Sequence, residues 1–400
     1  MDIFKIIYIY EYLKYKLILY LIMDRYQKSI EQAQTFLSRY IWIGVLLAIL
    51  GVLWYYQNQI GKKDSNITKM EKIYNTQDFA PQLSSINTAD PKYEQPLLNF
   101  YVASSYNSCC AGDFQDSYVS LEPLEQIIFH GARVLDFEIY SMDGRPVVAA
   151  SSTPNVNIKG TYNSIPVDNV LRRISQLAFS SAKSANPNDP LFLHFRIKSN
   201  RKDIYPQLAS AITENFAGRL MDARFSYEGR KMDDGQTENI TLEPLKNLVG
   251  KVIIMAYQEN DNYKDMDNSF YELVNLGSNS IYFRQLRNHE VQYSSNADTL
   301  KQENKSSLAL TMPDWSDLNN NVKIVLHHTL GCQMVCMNYQ NMDRNMKYYL
   351  NFFNEEGCAF VPKPPYLCMK TSKLNCPTPP DEKLSFKAKS YSLPMISFKM

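Results

Sequence analysis

The longest uninterrupted apolar run of the chain lies near its N-terminus, where residues 41–56 read IWIGVLLAILGVLWYY. Aromatic residues are concentrated at both ends of the run, as they are in segments that end at a membrane–water interface. A helix of this length rises by ~24 Å, and its aromatic flanks can extend it towards the ~30 Å of a hydrocarbon core. The pattern therefore predicts a single transmembrane helix over residues 40–56, with a buried core helix as the alternative.

Residues 1–39 precede this helix and mix apolar with charged side chains. Charges between Lys5 and Lys16 interrupt the apolar part, and no small-residue cleavage site of a signal peptide follows it. The segment could lie in the membrane interface, or translation could start at Met23. Basic residues flank the apolar run on both sides, so the topology and the identity of the membrane stay open. A polar stalk is expected over residues 57–95.

Short β-rich runs alternate with helical periodicity in the rest of the chain. The predicted strands cover residues 133–140, 146–149, 191–197, 252–256, 322–327 and 332–338. Apolar residues at helical spacing predict helices over 167–178 and 205–215. This alternation predicts an α/β fold with a parallel sheet, and its length suits a TIM-type (β/α)8 barrel over residues 96–368. A loose tail is expected over residues 369–400.

Composition narrows the function classes. The formal net charge of +1 argues against a nucleic-acid binder, which needs a basic surplus to neutralise phosphates. The 7 cysteines include no pair of CxxC elements at zinc-ligand spacing, and a core of this size needs no disulfide framework. The 5 histidines fall in no HExxH-type motif. These patterns therefore predict no cofactor.

Four segments carry a family resemblance. Residues 99–110 read NFYVASSYNSCC, where the family has S-S-H-N-T, and residues 131–140 read GARVLDFEIY and are followed closely by DGRPVV. Residues 189–197, DPLFLHFRI, are similar to a family strand with the pattern Y-P-x-I-L-S-I-E. Residues 331–364 begin GCQMVCMNYQ and end NEEGCAFVPKP. Together these segments resemble the X and Y catalytic regions of phosphoinositide-specific phospholipase C.

The resemblance implies a phospholipase C-like phosphodiesterase barrel, with an X-like part at about 98–222 and a Y-like part at about 245–367. In this family two histidines perform acid–base chemistry on the phosphodiester of the lipid. A calcium ion, held by an asparagine and carboxylates, activates the inositol hydroxyl. The implied partners are a phosphoinositide or another phospholipid and, through residues 40–56, a membrane.

The chain departs from the family pattern at the positions that carry the chemistry. The two catalytic histidines align with Tyr106 and Ala150. A phenol with a pKa near ~10 is a donor rather than a base at neutral pH, and an alanine transfers no proton. Arg196 stands where the family has a carboxylate ligand. Its guanidinium could fill the place of calcium by forming salt bridges with Asp136 and Glu138.

Part of the implied metal site is retained. Asn107 matches the calcium-ligating asparagine, and Asp136 and Glu138 match the acidic pair in exchanged order. Side chains two apart on a strand share one face, so a site for Ca²⁺ could survive at these three residues. His194 lies two residues before Arg196 and is expected to share its inward face. A buried core role is the alternative for this histidine.

The sequence thus predicts a single-pass membrane protein, and it leaves two functions open. The first is a membrane-anchored phospholipase C-like protein without catalytic activity, which binds a lipid headgroup or a protein partner or acts structurally. The lost histidines favour it, as do Met255 and Tyr257 at the positions of the family's phosphate-binding lysines. The second is an active phosphoric diester hydrolase that cleaves a phospholipid by altered, metal-assisted chemistry. The retained Asn107 and its neighbouring carboxylates favour that alternative.

Overall fold

The computed structural model describes residues 3–76, 80–229, 238–259, 262–369, 388 and 390–399. In chain order the strands are β1 (Phe100–Ser105), β2 (Val134–Met142), β3 (Arg145–Ala149), β4 (Ile165–Pro166), β5 (Leu191–Ile197), β6 (Val252–Tyr257), β7 (Leu276–Gly277), β8 (Asn279–Ser280), β9 (Phe283–Arg287), β10 (Leu308–Met312), β11 (Met334–Met337), β12 (Phe360–Pro362), β13 (Ser390–Leu393) and β14 (Ile396–Lys399). The helices are α1 (Ile3–Tyr74), α2 (Pro123–Phe129), α3 (Val167–Ala178), α4 (Ile204–Phe216), α5 (Tyr263–Met266), α6 (Asn268–Leu273), α7 (Asn288–Gln292), α8 (Ala297–Ser306), α9 (Ile324–Thr329) and α10 (Arg344–Glu356).

Eight parallel strands form a nearly closed barrel, which confirms the predicted TIM-type fold. Their spatial order is β7, β6, β5, β2, β1, β11, β10 and β9. The end strands β7 and β9 lie next to each other, so the sheet almost closes on itself. Three further strands pair antiparallel to the barrel, namely β3 with β2, β8 with β9 and β12 with β1.

Several predicted elements form because their apolar periodicity matches their burial. Helix α3 has the predicted bounds, and its buried side chains recur at helical spacing from Val170 to Leu177. Strand β5 also has the predicted bounds and is buried along its whole length, as expected of a parallel barrel strand. Helix α4 extends one residue beyond the prediction at each end. The tail predicted over 369–400 lies mostly outside the described residues, apart from the hairpin of β13 and β14.

The strand predicted over residues 322–327 is wrong, because this segment begins the helix α9. Ile324 and His327 are buried while Val325 is exposed, which is a helical rather than an alternating burial pattern. Parallel strands need a crossover connection, and α9 supplies it between β10 and β11. An apolar run this short reads equally well as a strand or as a buried helix segment.

Helix α1 is longer than the transmembrane segment predicted over residues 40–56. Within the described residues it is the one helix long and apolar enough to cross a membrane, and its most apolar stretch is not buried against the rest of the chain. The helix continues through residues 57–74, so the first part of the expected stalk is helical. Its last residue, Tyr74, is 3% exposed and donates a 2.7 Å hydrogen bond to the carbonyl of Tyr339. The end of α1 is therefore packed into the barrel.

Candidate active site

A buried guanidinium lies at the centre of the predicted site. Arg196, which is 1% exposed, donates from Nε and Nη2 to the two carboxylate oxygens of Asp136 at 2.8 and 2.7 Å. Its Nη1 donates to Glu138 Oε1 at 2.6 Å, and Nη2 also donates to Asn107 Oδ1 at 2.7 Å. The salt bridges that the sequence suggested between Arg196 and both carboxylates are thus present.

Three strands bring these side chains together. Glu138 on β2 lies in register with Arg196 on β5, and Asp136 lies in register with His194. Because residues two apart share a face, both pairs point into the barrel. Asn107 follows β1 in a left-handed conformation with φ of 42°, which directs its backbone N–H to Asp136 Oδ2 at 3.0 Å. Asparagine tolerates this conformation better than most residues.

The candidate metal ligands do not fit a calcium ion in this arrangement. Asn107, Asp136 and Glu138 each accept a hydrogen bond from Arg196, and the second oxygen of Glu138 accepts one from the Tyr140 hydroxyl at 2.6 Å. Calcium needs about 6–8 oxygen ligands, and a guanidinium in their midst excludes it by charge and by volume. In the described part of the chain, no group of three or more His, Cys, Asp or Glu side chains could hold a metal ion.

Electrostatics keeps Asp136 ionised. Burial opposes ionisation of Asp136, but the charge of Arg196 and the hydrogen bonds from His194 and Arg196 lower the pKa of that carboxyl well below its usual range. Burial lowers the pKa of His194, so its imidazole is neutral at physiological pH. Its Nδ1–H then donates to Asp136 Oδ1 at 2.8 Å. Its Nε2 has no hydrogen-bond partner among the described residues, and the whole side chain is inaccessible.

The positions that align with the two family histidines are both buried. The Tyr106 hydroxyl accepts a 3.2 Å hydrogen bond from Arg287, and its ring centroid lies 4.7 Å from the guanidinium carbon of Arg196. Burial raises the pKa of Tyr106, so its phenol stays protonated. Ala150 is fully buried, and its carbonyl accepts from the backbone N–H of Gly160 at 2.8 Å. Neither position offers a base at neutral pH.

A cleft of about 280 Å³ opens at the C-terminal ends of β5, β6 and β9, where TIM-type barrels carry their active sites. It is lined by Pro154, Val156, Arg196, Ile197, Lys198, Tyr257, Glu259, Gln285, Arg287, Glu290 and Trp315. Of the two positions aligned with family lysines, Tyr257 lines this cleft, whereas Met255 is fully buried in the core.

Two cations of this cleft were not predicted from the sequence. Lys198 is 6% exposed, donates to the Thr153 carbonyl at 3.1 Å and lies 4.4 Å from the Trp315 ring. Arg287 is 8% exposed, donates to the Pro313 carbonyl at 2.8 Å and lies 3.6 Å from the same ring. Strand alternation could have identified Lys198, which follows Arg196 by two residues. No local signal marks Arg287 or Trp315.

These two cations have no direct ion-pair partner among the described residues. Within the described residues, neither Lys198 nor Arg287 has a carboxylate oxygen within 4.0 Å of its charged nitrogens. Glu290 accepts only from the backbone N–H of Arg287, at 2.5 Å, and Glu259 lines the cleft without an ion pair to either cation. Burial lowers the pKa of Lys198 to about 8. An anion in the cleft would supply the counter-charge that these side chains lack.

The parallel barrel, with a charged cleft at the C-terminal ends of its strands, defines an α/β barrel protein of the TIM type. Residues 93–257 match the description "Phosphatidylinositol-specific phospholipase C, X domain", and residues 253–366 match "Phosphatidylinositol-specific phospholipase C, Y domain". The chain therefore belongs to the phosphatidylinositol-specific phospholipase C family, which confirms the resemblance seen in the sequence.

Two solved PLC21 structures agree on the fold. The barrel is similar to PLC21 from L. pealei, with 16% identity, a TM-score of 0.55, and coverage of 71% of this chain and 39% of that one. PLC21 from S. officinalis is similar with 18% identity and a TM-score of 0.52, and the match covers 69% of this chain and 38% of that one. A calcium-dependent phosphoinositol-specific phospholipase C from Pseudomonas sp. is also similar, with 10% identity, a TM-score of 0.39, and coverage of 68% and 97%. No curated protein sequence matches the chain.

Proposed function

We propose that the protein is a membrane-anchored, non-catalytic phospholipase C-like protein whose barrel binds the anionic headgroup of a phosphoinositide or another phospholipid. Residues 40–56 provide the anchor in this proposal. The observation that carries it is the guanidinium of Arg196, which binds Asn107, Asp136 and Glu138 in place of a metal ion.

Loss of turnover follows from the chemistry that these side chains can perform. Phosphodiester cleavage in this family couples a metal ion to proton transfer, and loss of one general acid–base group costs about 10²- to 10⁴-fold in rate. The two histidine positions hold Tyr106 and Ala150. The altered, metal-assisted hydrolase would need Asn107 and the two carboxylates to be free for a metal. Their hydrogen bonds to Arg196 argue against that alternative.

Headgroup binding is supported by the cleft beside this cluster. Lys198 and Arg287 both lie close to the Trp315 ring and have no ion pair with a carboxylate within the described residues. A phosphate offers charge-assisted hydrogen bonds to both cations, and such bonds are about twice as strong as neutral ones. The indole supplies an apolar face for the carbon skeleton of a headgroup. The cleft volume of about 280 Å³ suits a small polar ligand.

Turnover is tested with the full chain purified in detergent and mixed with phosphatidylinositol or phosphatidylinositol bisphosphate in the presence of calcium. We expect no release of water-soluble inositol phosphate above the protein-free blank. Release that disappears in the Asp136→Asn variant would contradict the proposal, because that variant removes a carboxylate of the altered hydrolase.

Binding is tested by calorimetric titration of the same protein with inositol trisphosphate and with inorganic phosphate. We expect saturable binding of the inositol phosphate that weakens at least several-fold in Lys198→Met and in Arg287→Met. Lys347→Met is the matched control, because this lysine is exposed on α10, away from the residues that line the cleft. Equal affinities in all four proteins would contradict the placement of the headgroup in this cleft.

A further inference from the structure

Helix α1 does not leave the barrel where its apolar segment ends but continues along the barrel surface. The Tyr55 hydroxyl lies 3.1 Å from the Tyr162 hydroxyl, and Lys62 donates to the carbonyl of Asp116 at 3.3 Å. Further along the helix, Met70 is 2% exposed and belongs to the barrel core. The contacts therefore extend from the last residues of the apolar segment to the end of the helix.

The direction of α1 along the barrel follows from the elements that it meets. Asp116 lies in the loop after β1, and Tyr162 lies in the loop after β3. The end of β3 at Ala149 pairs with Glu138, which is in register with Arg196 near the C-terminal end of β5. The backbone N–H of Asp116 donates to Gly160 at 3.1 Å, which joins the two loops. Both contacts with the first part of α1 are thus made at the end of the barrel that carries the cleft.

The chain that follows α1 reaches the opposite end of the barrel. The backbone N–H of Ile86 donates to Asp189 at 2.7 Å, and Asp189 lies two residues before the first residue of β5. The N–H of Ser84 donates to Gly357, which lies between α10 and β12, at 3.0 Å. Tyr55 therefore lies at the cleft end of the barrel, and Ile86 lies at the opposite end. The apolar segment before Tyr55 projects beyond the cleft end.

We infer that the barrel docks with its cleft end against the same membrane leaflet from which α1 emerges; this inference rests on the proposed anchoring function. Tyr55 belongs to the aromatic end of the apolar segment, so it lies at the membrane interface and holds Tyr162 at the same level. From Tyr55 to Lys62 a helix rises by ~10 Å. The loops of the cleft end consequently lie within that distance of the bilayer surface.

The surface of the cleft end is suited to a bilayer. Ile158, in the same loop as Tyr162, is 59% exposed, and Leu318, in the loop after β10 that also carries Trp315, is 61% exposed. Apolar side chains on such loops gain free energy when they enter the headgroup region. The ligand of the cleft is then a lipid of the leaflet in which the protein is anchored, rather than a soluble anion or a lipid of an opposing membrane.

The docking is tested by fluorescence quenching in the full chain reconstituted in phosphatidylcholine nanodiscs that carry spin-labelled lipid. A polarity-sensitive fluorophore is attached to Ile158→Cys, to Leu318→Cys and, as the control, to Ile281→Cys. Ile281 is 80% exposed and precedes β9 at the opposite end of the barrel. Cys368 and Cys376 are replaced by serine in all three proteins, because the other cysteines are buried.

We expect quenching at residues 158 and 318 to exceed that at residue 281 several-fold. Equal quenching at the three positions, or stronger quenching at residue 281, would overturn the inference. A flexible Gly-Ser insertion after Gly61, combined with Tyr55→Phe, separates the anchor from Lys62 and the later barrel contacts of α1 and removes the Tyr55–Tyr162 hydrogen bond, and is expected to reduce the difference between the two ends. An undiminished difference in that variant would overturn the orienting role of α1.

The outcome is separable from the proposed function. If alkaline carbonate extracts the wild-type protein from liposomes, the anchor itself is absent and the proposed function fails with it. If the protein resists extraction and binds inositol trisphosphate, but the three labels are quenched equally, only the orientation of the barrel is wrong.

Discussion

At the scale of single residues, the cluster around Arg196 combines one guanidinium with two carboxylates in an inaccessible place. The remaining acceptors are satisfied by neutral donors, which are the backbone of Asn107, the hydroxyl of Tyr140 and the imidazole of His194. Such a network is stable only when every member is present, since a charge left without a partner cannot be hydrated. Its integrity therefore depends on Arg196.

Replacement of Arg196 by methionine is expected to lower the free energy of unfolding by about 3–5 kcal/mol, because two buried carboxylates lose their common cation. Chemical denaturation of the full chain in detergent measures the change. Arg201→Met serves as the control, since this arginine pairs with Asp203 at an exposed position and such pairs contribute at most about 1 kcal/mol. Similar losses in the two variants would show that the buried cluster is not stabilised by Arg196.

Affinity for an anionic headgroup is expected to fall as the pH rises from 7 to about 9. Burial lowers the pKa of Lys198 to about 8, and a bound anion favours its protonated form. Binding is therefore strongest below that pKa and weakens above it, as the ammonium loses its proton. Calorimetric titrations across this pH range measure the change. Lys198→Arg, which keeps its charge, should bind with little pH dependence, and a wild-type affinity that is constant over the range would contradict the assignment.

At the scale of elements, motif residues of the family hold strands and helices together. Gln333, at the start of β11, donates to the carbonyls of Leu98 at 3.1 Å and Asn304 at 2.8 Å. Its Oε1 accepts from the backbone N–H of Ala309 on β10 at 2.9 Å. One buried amide thus joins three parts of the chain.

Gln333→Leu is expected to destabilise the barrel by roughly 2–4 kcal/mol, because buried backbone groups lose their partner without gaining water. The measurement is the midpoint and slope of urea unfolding. Gln302→Leu, at an exposed position of α8, is the control and should change stability little. A loss below about 1 kcal/mol for Gln333→Leu would mean that the network contributes no more than an ordinary surface bond.

Helix α9 carries a histidine that makes stability depend on pH. His327 is fully buried, its Nε2 lies 3.1 Å from Asn288 Oδ1, and burial lowers its pKa to about 4. The unfolded chain binds a proton near pH ~6.5 and the folded chain does not, so stability is lost as the pH falls below that value.

Between pH 7 and about 5, this histidine should lower the free energy of unfolding by about 2 kcal/mol. Denaturation of the wild type and of His327→Gln at the two pH values isolates its contribution, because glutamine can donate to Asn288 but does not titrate. An identical pH dependence in the two proteins would rule out His327 as its source.

The elements that could be predicted are those whose own periodicity decides their structure. Helix α3 has a continuous apolar face and strand β5 a continuous apolar run, and both have the predicted bounds. Strand β9 contains two arginines and a glutamine, so its sequence FRQLR gives no strand signal. Helix α9 follows an asparagine-rich segment and is too short for its period to be distinguished from a strand. Long-range pairing within the barrel fixes both of these elements.

At the scale of the whole molecule, the candidate site could be predicted only in part. Alternation within β2 and β5 brings Asp136, Glu138 and Arg196 to one face, and this much follows from sequence spacing. The cations of the cleft are different, because Arg287 and Trp315 come from the ends of β9 and β10 and meet Lys198 only when the barrel is nearly closed. No local pattern could indicate that juxtaposition.

The same scale relates the barrel to helix α1. The described residues combine a phospholipase C-type barrel with a helix of 72 residues, and the end of that helix belongs to the barrel core. In the proposed function, the helix supplies the membrane attachment and the cleft supplies the headgroup contact, while the metal-dependent reaction is absent. The place of the calcium ion is therefore the point on which the proposal depends.

Thermal unfolding of the wild type and of Arg196→Glu, each with and without calcium, tests this point directly. Glutamate at position 196 would give Asn107, Asp136 and Glu138 a further carboxylate in place of the guanidinium, which is a ligand set suited to Ca²⁺. We predict that calcium leaves the unfolding temperature of the wild type unchanged and raises that of Arg196→Glu by several degrees, since binding to the folded state stabilises it. A saturable, calcium-dependent rise in the wild-type protein would contradict the claim that Arg196 occupies the place of the metal.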